Sequence, residues 1–293
     1  MRAILFGAGG QLGVDLAREC AERKISVLAL DRSQLDITNA AAVRQLLESY
    51  RPEVVFNAAA YNKVDLAEQE FETALQINAA AVRDLAESCE SVGATLLHYS
   101  TDLVFAGDKK TPYVESDTPK PLSFYGVSKV LGDVYASTSC SSYYVLRVSG
   151  VFGSAGRYSN HGNFPEFVLR RCAEGSPLQI VDDRFTNPTF GTALAKRSLD
   201  VLERQIPVGL YHLAGRETVS WYDFACRIAA GADCRAEITP ISRSQYETPA
   251  PRPVNSALSC AKIEAAGIDP MPHLDDCIQQ YMAQRKRERP RSP

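Results

Sequence analysis

Residues 3–13 read AILFGAGGQLG, an apolar run that leads directly into a glycine-rich turn. The apolar run predicts a strand over Ala3–Phe6, and the residues after the turn have helical spacing over Gln11–Arg23. The same alternation continues through the first half of the chain. Further strands are predicted over Ser26–Leu30, Val54–Asn57, Thr95–Ser100 and Tyr143–Val148, and further helices over Ala40–Ser49, Phe71–Val92 with one break, and Tyr125–Ser137.

Strands that are apolar on both faces and separated by helices are typical of a parallel sheet covered on both sides. Right-handed crossovers then leave a doubly wound α/β fold of the Rossmann type as the simplest topology. The second half is less regular and is broken by prolines. Its predicted helices are Phe164–Glu174, Thr192–Arg204, Trp221–Ala229 and Leu274–Lys286, and its predicted strands are Leu178–Val181 and Gly209–Leu213. We therefore predict a dinucleotide-binding domain over 1–150 and a smaller C-terminal α/β region, mainly substrate-binding, over 151–293, with segments at about 178–213 returning to the sheet.

The glycine-rich turn has the spacing G-x-x-G-x-x-G through Gly7, Gly10 and Gly13. Gly7 permits the tight turn, Gly10 lets the backbone approach a pyrophosphate, and Gly13 lets the helix pack closely on the strand. The unpaired N–H groups at the start of the helix, at Gln11 and Leu12, suit an anion. Because the motif lies between a strand and a helix, it predicts a bound dinucleotide rather than a simple turn.

The end of the second predicted strand bears on which dinucleotide is bound. Asp31 suits the ribose hydroxyls of NADH, whereas the adjacent Arg32 suits the 2′-phosphate of NADPH, so both coenzymes stay open. Asp36 either reaches the adenine edge or belongs to the turn before the next helix, which Thr38 or Asn39 would cap. After the third strand, small residues leave room for a cofactor, although tight packing also explains them; the segment is Ala58, Ala59, Ala60 and Tyr61.

Composition excludes several other classes of protein. The 293 residues carry a net charge of −3, so nothing attracts nucleic acid in general, and we interpret the basic run at 285–291 as a solvated tail. No apolar stretch approaches the ~20 residues of a membrane span, and no signal-peptide pattern is present, so we expect a cytoplasmic protein. The eight cysteines lack C-x-x-C spacing. We interpret them as small buried residues rather than disulfides, and expect no metal site.

A second group of residues suggests ketone reduction. The fourth strand ends in Ser100 and Thr101, and the following helix begins with Tyr125 and, four residues later, Lys129. Residues four apart on a helix share one face. A phenol is a weak acid unless a nearby ammonium stabilises its phenolate, so we expect Lys129 to lower the pKa of Tyr125. A hydroxyl from Ser100 or Thr101 would hydrogen-bond the developing alkoxide.

Taken in order along the chain, these motifs resemble the extended short-chain dehydrogenases/reductases, and in particular their dTDP-4-dehydrorhamnose reductase group. The resemblance covers almost the whole chain and includes residues 7–13, 57–68, 98–105, 125–129, 162–164, 187–189 and 248–256. It implies that Tyr125 is the proton donor, Lys129 its activator and Thr101 the hydroxyl partner. It also implies that Asp102 and Asn163 lie near the substrate and that Arg252 and Asn255 approach the nucleotide diphosphate. From the residues alone, Arg252 is either a rigidly placed cation for a diphosphate or a surface charge on a stiff loop.

The chain departs from this group at two positions of the sugar pocket. Leu103 and Gly150 stand where the family commonly has a tyrosine and a tryptophan, and we expect Gly150 to leave an open space. The substrate would then be a different 4-keto-6-deoxyhexose, or a branched or contracted sugar. Alternatively, another aromatic side chain fills the gap, for which the candidates are Phe152, Tyr158 and Phe185. The polar segment 154–161 is either a flap over the sugar or an ordinary loop.

The resemblance implies NADPH- or NADH-dependent reduction of a dTDP-linked 4-keto sugar, as in dTDP-L-rhamnose synthesis, by a monomer or homodimer. One alternative is a nucleotide-sugar epimerase or dehydratase of the same fold. A dehydratase usually has an acid–base pair after the fourth strand, but Asp102 is followed by Leu103. The other is a non-catalytic dinucleotide-binding subunit, similar to the regulatory subunit of methionine adenosyltransferase.

Overall fold

The computed structural model describes residues 1–158, 162–232, 234 and 236–287. Its strands, in chain order, are β1 (Arg2–Phe6), β2 (Ser26–Leu30), β3 (Val54–Asn57), β4 (Thr95–Thr101), β5 (Tyr143–Val148), β6 (Val151–Phe152), β7 (Leu178–Val181), β8 (Phe185–Thr186), β9 (Thr189–Phe190), β10 (Gly209–His212), β11 (Val219–Ser220) and β12 (Ile238–Ile241). Its α-helices are α1 (Gln11–Glu22), α2 (Ala40–Tyr50), α3 (Phe71–Leu75), α4 (Ala81–Val92), α5 (Phe124–Ser139), α6 (Phe164–Ala173), α7 (Gly191–Glu203), α8 (Trp221–Gly231), α9 (Ala261–Ala265) and α10 (Leu274–Arg287).

A six-stranded sheet with the order β10-β5-β4-β3-β1-β2 forms the centre of the fold, and all its neighbouring strands are parallel. Alternate residues of β1 face opposite layers. Ala3 and Leu5 pack with α1 and α7, whereas Ile4 and Phe6 pack with α2, α4 and α5. Because both faces of the sheet are covered by helices, the strands are apolar on both sides. The predicted doubly wound α/β fold is confirmed.

The predicted break in the long helical segment 71–92 is a π-helical turn over Gln76–Ala80 between α3 and α4. A π-turn inserts one extra residue into a helix and changes which side chains face inward. Here it places Asn78 inside the protein, where its side chain hydrogen-bonds the backbone of Tyr61 in both directions, at 2.9 Å each. The turn therefore ties the segment after β3 to the helices.

A second core lies in the C-terminal region, where α6, α8 and α10 pack around Phe152, Phe224 and Tyr281. The segment at about 178–213 is predicted to return to the central sheet, but among its described strands only β10 does so. The predicted strand Leu178–Val181 instead pairs in parallel with Ile238–Ile241, in a separate two-stranded sheet. The division of the chain at residue 150 stays a prediction.

One expectation about the cysteines was wrong. Cys172, near the end of α6, and Cys234, just after α8, form a disulfide with their Cα atoms 5.4 Å apart. The two positions are 62 residues apart in the sequence, and only the packing of α6 against α8 brings them within bonding range. Such a pairing has no signature in cysteine spacing.

Within the described ranges, none of the helices combines the length and the apolar character that crossing a bilayer requires.

Candidate active site

A cavity of about 1450 Å³ opens at the carboxyl ends of β1, β3, β4 and β5, and α6, β7 and the start of α8 complete its walls. Parallel strands end at one edge of their sheet, which is where doubly wound folds bind ligands. All the residues predicted for the site line this cavity, with the exception of Gly13 and Asn255. The structure therefore brings the two predicted groups, the glycine turn and the Tyr-Lys pair, to one continuous space.

The glycine turn is shaped by close backbone contacts. Gly7 has a φ of +80°, and a Cβ atom there would lie 2.6 Å from the backbone of Ala58. A Cβ on Gly13 would collide with the carbonyl oxygen of Gly7, so Gly13 acts behind the cavity by allowing helix and strand to pack. Gly10, the residue before α1, provides no side-chain cap, so the first N–H groups of α1 at the cavity edge remain for a ligand. These features fit the pyrophosphate of a dinucleotide.

The predicted adenosine end is polar and exposed. The Asp31 carboxylate accepts hydrogen bonds from the backbone and hydroxyl of Ser33, at 2.8 and 2.6 Å, and these bonds lower its pKa. Arg32 is 81% exposed and pairs with Asp36 at 3.2 Å. Asp36 also accepts bonds from the backbone and hydroxyl of Thr38. Asp36 therefore has turn contacts, as one of the two interpretations requires, while all three residues still line the cavity.

Of the two residues predicted to cap α2, Thr38 and Asn39, the structure shows Asn39 as the cap. The side chain of Asn39 accepts a hydrogen bond from the backbone of Ala42 at 3.2 Å and caps α2. Thr38, the other candidate, instead belongs to the turn with Asp36.

The segment after β3 forms one wall of the cavity through Ala58, Ala59, Ala60 and Tyr61. Tyr61 is held from both ends, because its backbone bonds Asn78 and its hydroxyl donates to Glu70 at 2.8 Å. Because the three alanine side chains are small, they leave space for a ligand beside the glycine turn.

The catalytic candidates converge at the inner end of the cavity. Tyr125 and Lys129 lie on the inward face of α5, and Lys129 is 1% exposed. The Lys129 ammonium donates to the Tyr99 carbonyl oxygen at 2.6 Å and lies 3.3 Å from Nε2 of His98. The Thr101 hydroxyl, at the end of β4, hydrogen-bonds the Tyr125 phenol and thereby acts to lower its pKa.

The pKa values depart from what the sequence suggests. Burial raises the pKa of Tyr125 to about 12, outweighing the lowering by Thr101, and the carboxyl groups of Asp102 and Asp133 raise it further. Burial also lowers the pKa of Lys129 to about 8, although the Asp133 carboxyl opposes that change. The expected lowering of the Tyr125 pKa by Lys129 is therefore wrong for this state of the protein. At neutral pH the phenol keeps its proton.

Two buried polar side chains lie close to Lys129, and the sequence analysis assigns neither of them a role. His98 is fully buried; its Nδ1 lies 3.0 Å from the Asn57 amide, and burial holds its pKa well below the ordinary value, so the ring is neutral. Asp133 is paired with Arg147 at 3.0 Å, both being buried. One turn of helix separates Asp133 from Lys129, and that spacing was the only available signal for it.

Asp102 is a buried carboxyl group facing the same cavity. It accepts a hydrogen bond from Ser149 at 2.8 Å and one from Thr101 at 3.1 Å, and Ser149 in turn bonds the hydroxyl of Thr186 at 2.7 Å. Burial raises the pKa of Asp102 despite these bonds. The carboxyl thus sits beside the Thr101–Tyr125 pair within a network of hydroxyl groups.

At the two departures from the family, Leu103 packs against the apolar cluster that contains Tyr61 and Tyr125, and Gly150 forms a turn with a φ of +50°. A Cβ atom on Gly150 would lie 3.3 Å from the Thr186 hydroxyl, while the glycine itself lines the cavity, so the open space expected beside it stays a prediction. A left-handed turn, rather than a missing indole, explains this glycine.

Other aromatic side chains line the sugar side of the cavity. Phe185 is 39% exposed and lines it, whereas Phe152 packs in the C-terminal core and lines an adjoining cavity of about 430 Å³. The Tyr158 side chain and residues 159–161 of the proposed flap lie outside the described residues; the part 154–158 is a 3₁₀-helix. Phe164 and Trp221 were not predicted as lining residues, and their rings meet edge to face at 4.7 Å.

Asn163 connects the two halves of the site. Its side chain caps α6 by accepting from the backbone of Glu166, and it donates to the Gln11 side chain at 2.9 Å. Gln11 in turn donates to the Val151 carbonyl oxygen at 2.7 Å. The start of α1 is thereby tied to the C-terminal region.

Two arginines mark the outer part of the cavity. Arg252 is held by Asp65 at 3.0 Å and by the Ala250 carbonyl oxygen. Arg184, which was not predicted, lines the cavity too, and its buried Nε makes no hydrogen bond within the described structure. Burial and the nearby Arg252 lower the Arg184 pKa. Asn255 does not reach the cavity, because its side chain bonds Lys109 and Ala257 instead.

Among the described ranges of the chain, no group of three or more His, Cys, Asp or Glu side chains is placed to hold a metal ion.

Comparisons with known proteins agree with this geometry. The family model described as the RmlD substrate binding domain matches residues 1–287. A dTDP-4-dehydrorhamnose reductase from Aggregatibacter actinomycetemcomitans is 39% identical over 92% of this chain and 94% of its own length. Among solved structures, a dTDP-4-dehydrorhamnose reductase from Clostridium acetobutylicum is similar with a TM-score of 0.93 and 30% identity, covering 98% of this chain and 100% of its own. The Bacillus anthracis reductase in complex with NADP has a TM-score of 0.91 and 31% identity, covering 97% of this chain and 99% of its own.

Proposed function

The chain belongs to the RmlD substrate binding domain family, and from that membership we propose that it reduces the 4-keto group of a dTDP-linked 4-keto-6-deoxyhexose with NADPH. The observation that carries the proposal is the meeting of three groups in one cavity. A phenol, a hydroxyl and an ammonium, from Tyr125, Thr101 and Lys129, lie at the inner end, and the glycine turn lies at its edge.

The coenzyme fits the residues present. Gly7 and Gly10 line the cavity where a Cβ atom on Gly7 would collide with the backbone of Ala58, and the uncapped start of α1 would offer its N–H groups to the pyrophosphate. Arg32 has an exposed guanidinium, which would pair with the 2′-phosphate of NADPH. The similar reductase from Bacillus anthracis was solved in complex with NADP. When bound, the reduced nicotinamide supplies the hydride.

The side chains of the chain supply the remaining chemistry. Because the pKa of Tyr125 is about 12, its phenol is protonated at neutral pH and can donate that proton to the C4 oxygen of the sugar. The Thr101 hydroxyl would hydrogen-bond the same oxygen and share the developing charge. Lys129, one turn further along α5, would place its buried ammonium beside the ribose of the nicotinamide and so hold the coenzyme next to Tyr125.

The nucleotide part of the substrate would lie in the outer cavity. Arg252 and Arg184 are two cations at one wall, where a diphosphate would give Arg184 an ionic partner and Arg252 a second one beside Asp65. The Phe164–Trp221 pair and Phe185 offer apolar faces for the rings of the ligand. The cytoplasmic location expected from the sequence stays a prediction, as does a monomeric or homodimeric state.

The proposal is tested with purified protein, NADPH and dTDP-4-keto-6-deoxyglucose, with and without a 3,5-epimerase. We expect loss of absorbance at the reduced-nicotinamide band in at least one condition. Tyr125→Phe should lower the rate about a hundredfold or more, since it removes the proton donor but keeps the ring. Tyr135→Phe, farther along α5 on a half-buried tyrosine, is the matched control and should leave the rate unchanged. Binding of NADPH without any oxidation would favour the non-catalytic subunit instead.

A further inference from the structure

His98 is a fully buried, uncharged ring that the proposed reaction does not use. It lies on β4 beside Lys129, whose ammonium nitrogen is 3.3 Å from Nε2 of the ring and 2.6 Å from the Tyr99 carbonyl oxygen. A Cβ atom on Gly132 would lie 3.3 Å from the same Nε2, so helix α5 packs closely against the ring. The ring and the ammonium are therefore held next to each other inside the protein.

The contact with Lys129 decides which ring nitrogen of His98 carries the proton. An ammonium group only donates hydrogen bonds, whereas a neutral imidazole donates at one nitrogen and accepts at the other. With a pKa of about 8, Lys129 is mostly charged at neutral pH. A proton on Nε2 would place two donors against each other at 3.3 Å, so Nε2 must be the acceptor and Nδ1 carries the proton.

Asn57, on the neighbouring strand β3, provides the acceptor that this tautomer requires. Its side-chain amide lies 3.0 Å from Nδ1 of His98. The amide oxygen makes no hydrogen bond in the described structure, and a half-turn of the amide group brings it to face Nδ1. The ring is then fixed from both sides, because its Nδ1–H donates to Asn57 and its Nε2 accepts from Lys129.

The charged groups around this pair leave the ring neutral. Burial lowers the pKa of His98 well below its ordinary value, and the charge of Lys129 lowers it further. On α5, the Asp133 carboxyl acts on Lys129 and is itself paired with Arg147 of β5, while the Tyr125 phenol keeps its proton. The His98 ring therefore stays an acceptor over the pH range in which Lys129 titrates.

We propose that His98 is a positioning residue, which directs the ammonium of Lys129 at the coenzyme. Nε2 of His98 and the Tyr99 carbonyl oxygen accept two of the three N–H groups, and the third is left for the cavity, which Lys129 lines. There it would donate to the ribose of the dinucleotide, so this role rests on the proposed function. Without the ring, the ammonium loses one acceptor, and Lys129 should release its proton at a lower pH.

Nuclear magnetic resonance of the histidine rings tests the tautomer directly. Long-range ¹H–¹⁵N spectra of the full chain distinguish a ring protonated at Nδ1 from one protonated at Nε2. The variant His98→Gln identifies the signals of His98 among the four histidines of the chain. We expect Nδ1–H in a ring that does not titrate across the neutral range. A ring protonated at Nε2, or one that titrates near its ordinary pKa, overturns the proposal, and this result needs no variant in place of the wild type.

Calorimetric titration with NADPH, in the absence of any sugar, tests the consequence for the coenzyme. His98→Leu removes the acceptor and should raise Kd about tenfold or more, which is the scale of one hydrogen bond to a charged group. The affinity of the wild type should fall as pH rises past about 8, where Lys129 loses its proton. In His98→Leu this fall should begin at a lower pH. His98→Gln keeps an acceptor near the position of Nε2 and should restore most of the affinity.

His212→Leu is the matched control, since His212 is also fully buried but belongs to β10 and is not among the described residues that line the cavity. Once circular dichroism shows that both leucine variants are folded, His212→Leu should leave Kd and its pH dependence unchanged. Equal effects of the two leucine substitutions would overturn the positioning role. A wild-type chain that binds no NADPH contradicts the proposed function as well, whereas normal binding together with an Nε2–H ring contradicts the positioning role alone.

Discussion

At the residue scale, the ammonium of Lys129 is paired with neutral partners, the Tyr99 carbonyl oxygen and the His98 ring, and the residue is 1% exposed. Its pKa of about 8 returns to about 10.5 when unfolding exposes it. Between these two pH values the unfolded chain binds the extra proton and the folded chain does not, so this group makes stability rise with pH over that window.

The variant Lys129→Met removes this contribution. The free energy of unfolding of the wild type minus that of the variant should increase by ~3 kcal/mol from pH 8 to pH 10.5. Urea denaturation at several pH values measures the difference, and taking it against the variant cancels the titration of tyrosines and cysteines. A difference that stays level across this range would contradict the lowered pKa of Lys129.

Arg184 supports a second prediction about a single side chain. Its buried Nε lacks a partner in the described structure, whereas Arg243, a neighbour on the exposed side, pairs with Asp183. Arg184→Gln should therefore raise KM for the dTDP-sugar about tenfold or more, with a smaller change in kcat, because charge-assisted bonds to a diphosphate are lost. Arg243→Gln is the matched control. Equal KM values for the two variants would show that Arg184 does not contact the diphosphate.

At the element scale, the disulfide joins the far ends of two helices whose first residues, Phe164 and Trp221, line the cavity. A crosslink across 62 residues restricts the unfolded chain, which corresponds to ~4 kcal/mol in the chain-entropy description. Dithiothreitol or Cys172→Ser should thus lower the free energy of unfolding by up to this amount in urea titrations. Cys226→Ser, at a free cysteine of α8, should have little effect. An unchanged urea midpoint after complete reduction would refute the stabilising role.

The elements of the fold were largely predictable, because each strand of the central sheet is an apolar run and each long helix has one buried stripe. Strands of two residues, such as β6 and β9, carry too short a pattern to recognise. β12 was missed for a specific reason, since its third residue is Pro240, which argues against a strand but is tolerated at the edge of a two-stranded sheet.

At the scale of the whole molecule, the sequence predicts those site residues that belong to one contiguous motif. It does not predict the residues that reach the site only through the folding of distant segments. The glycine turn and the Tyr125–Lys129 pair are each local in sequence. Arg184 and Trp221 come to the cavity only through the packing of the C-terminal region, and no spacing links them to the other site residues. The sequence also did not predict how deeply Tyr125 is buried, and this burial raises its pKa where a lowering was expected.

The contrast between the buried Lys129 and the exposed Arg32 has a consequence for how dissolved ions affect the protein. Small ions screen charges that water surrounds, and at about 0.15 M their influence reaches within ~8 Å, but they scarcely reach a charge inside the core. Potassium chloride should therefore raise KM for NADPH while leaving kcat nearly constant, which steady-state rates over a salt series would measure. A kcat that falls as KM rises would show that salt also screens the buried charge of Lys129, which would contradict this prediction.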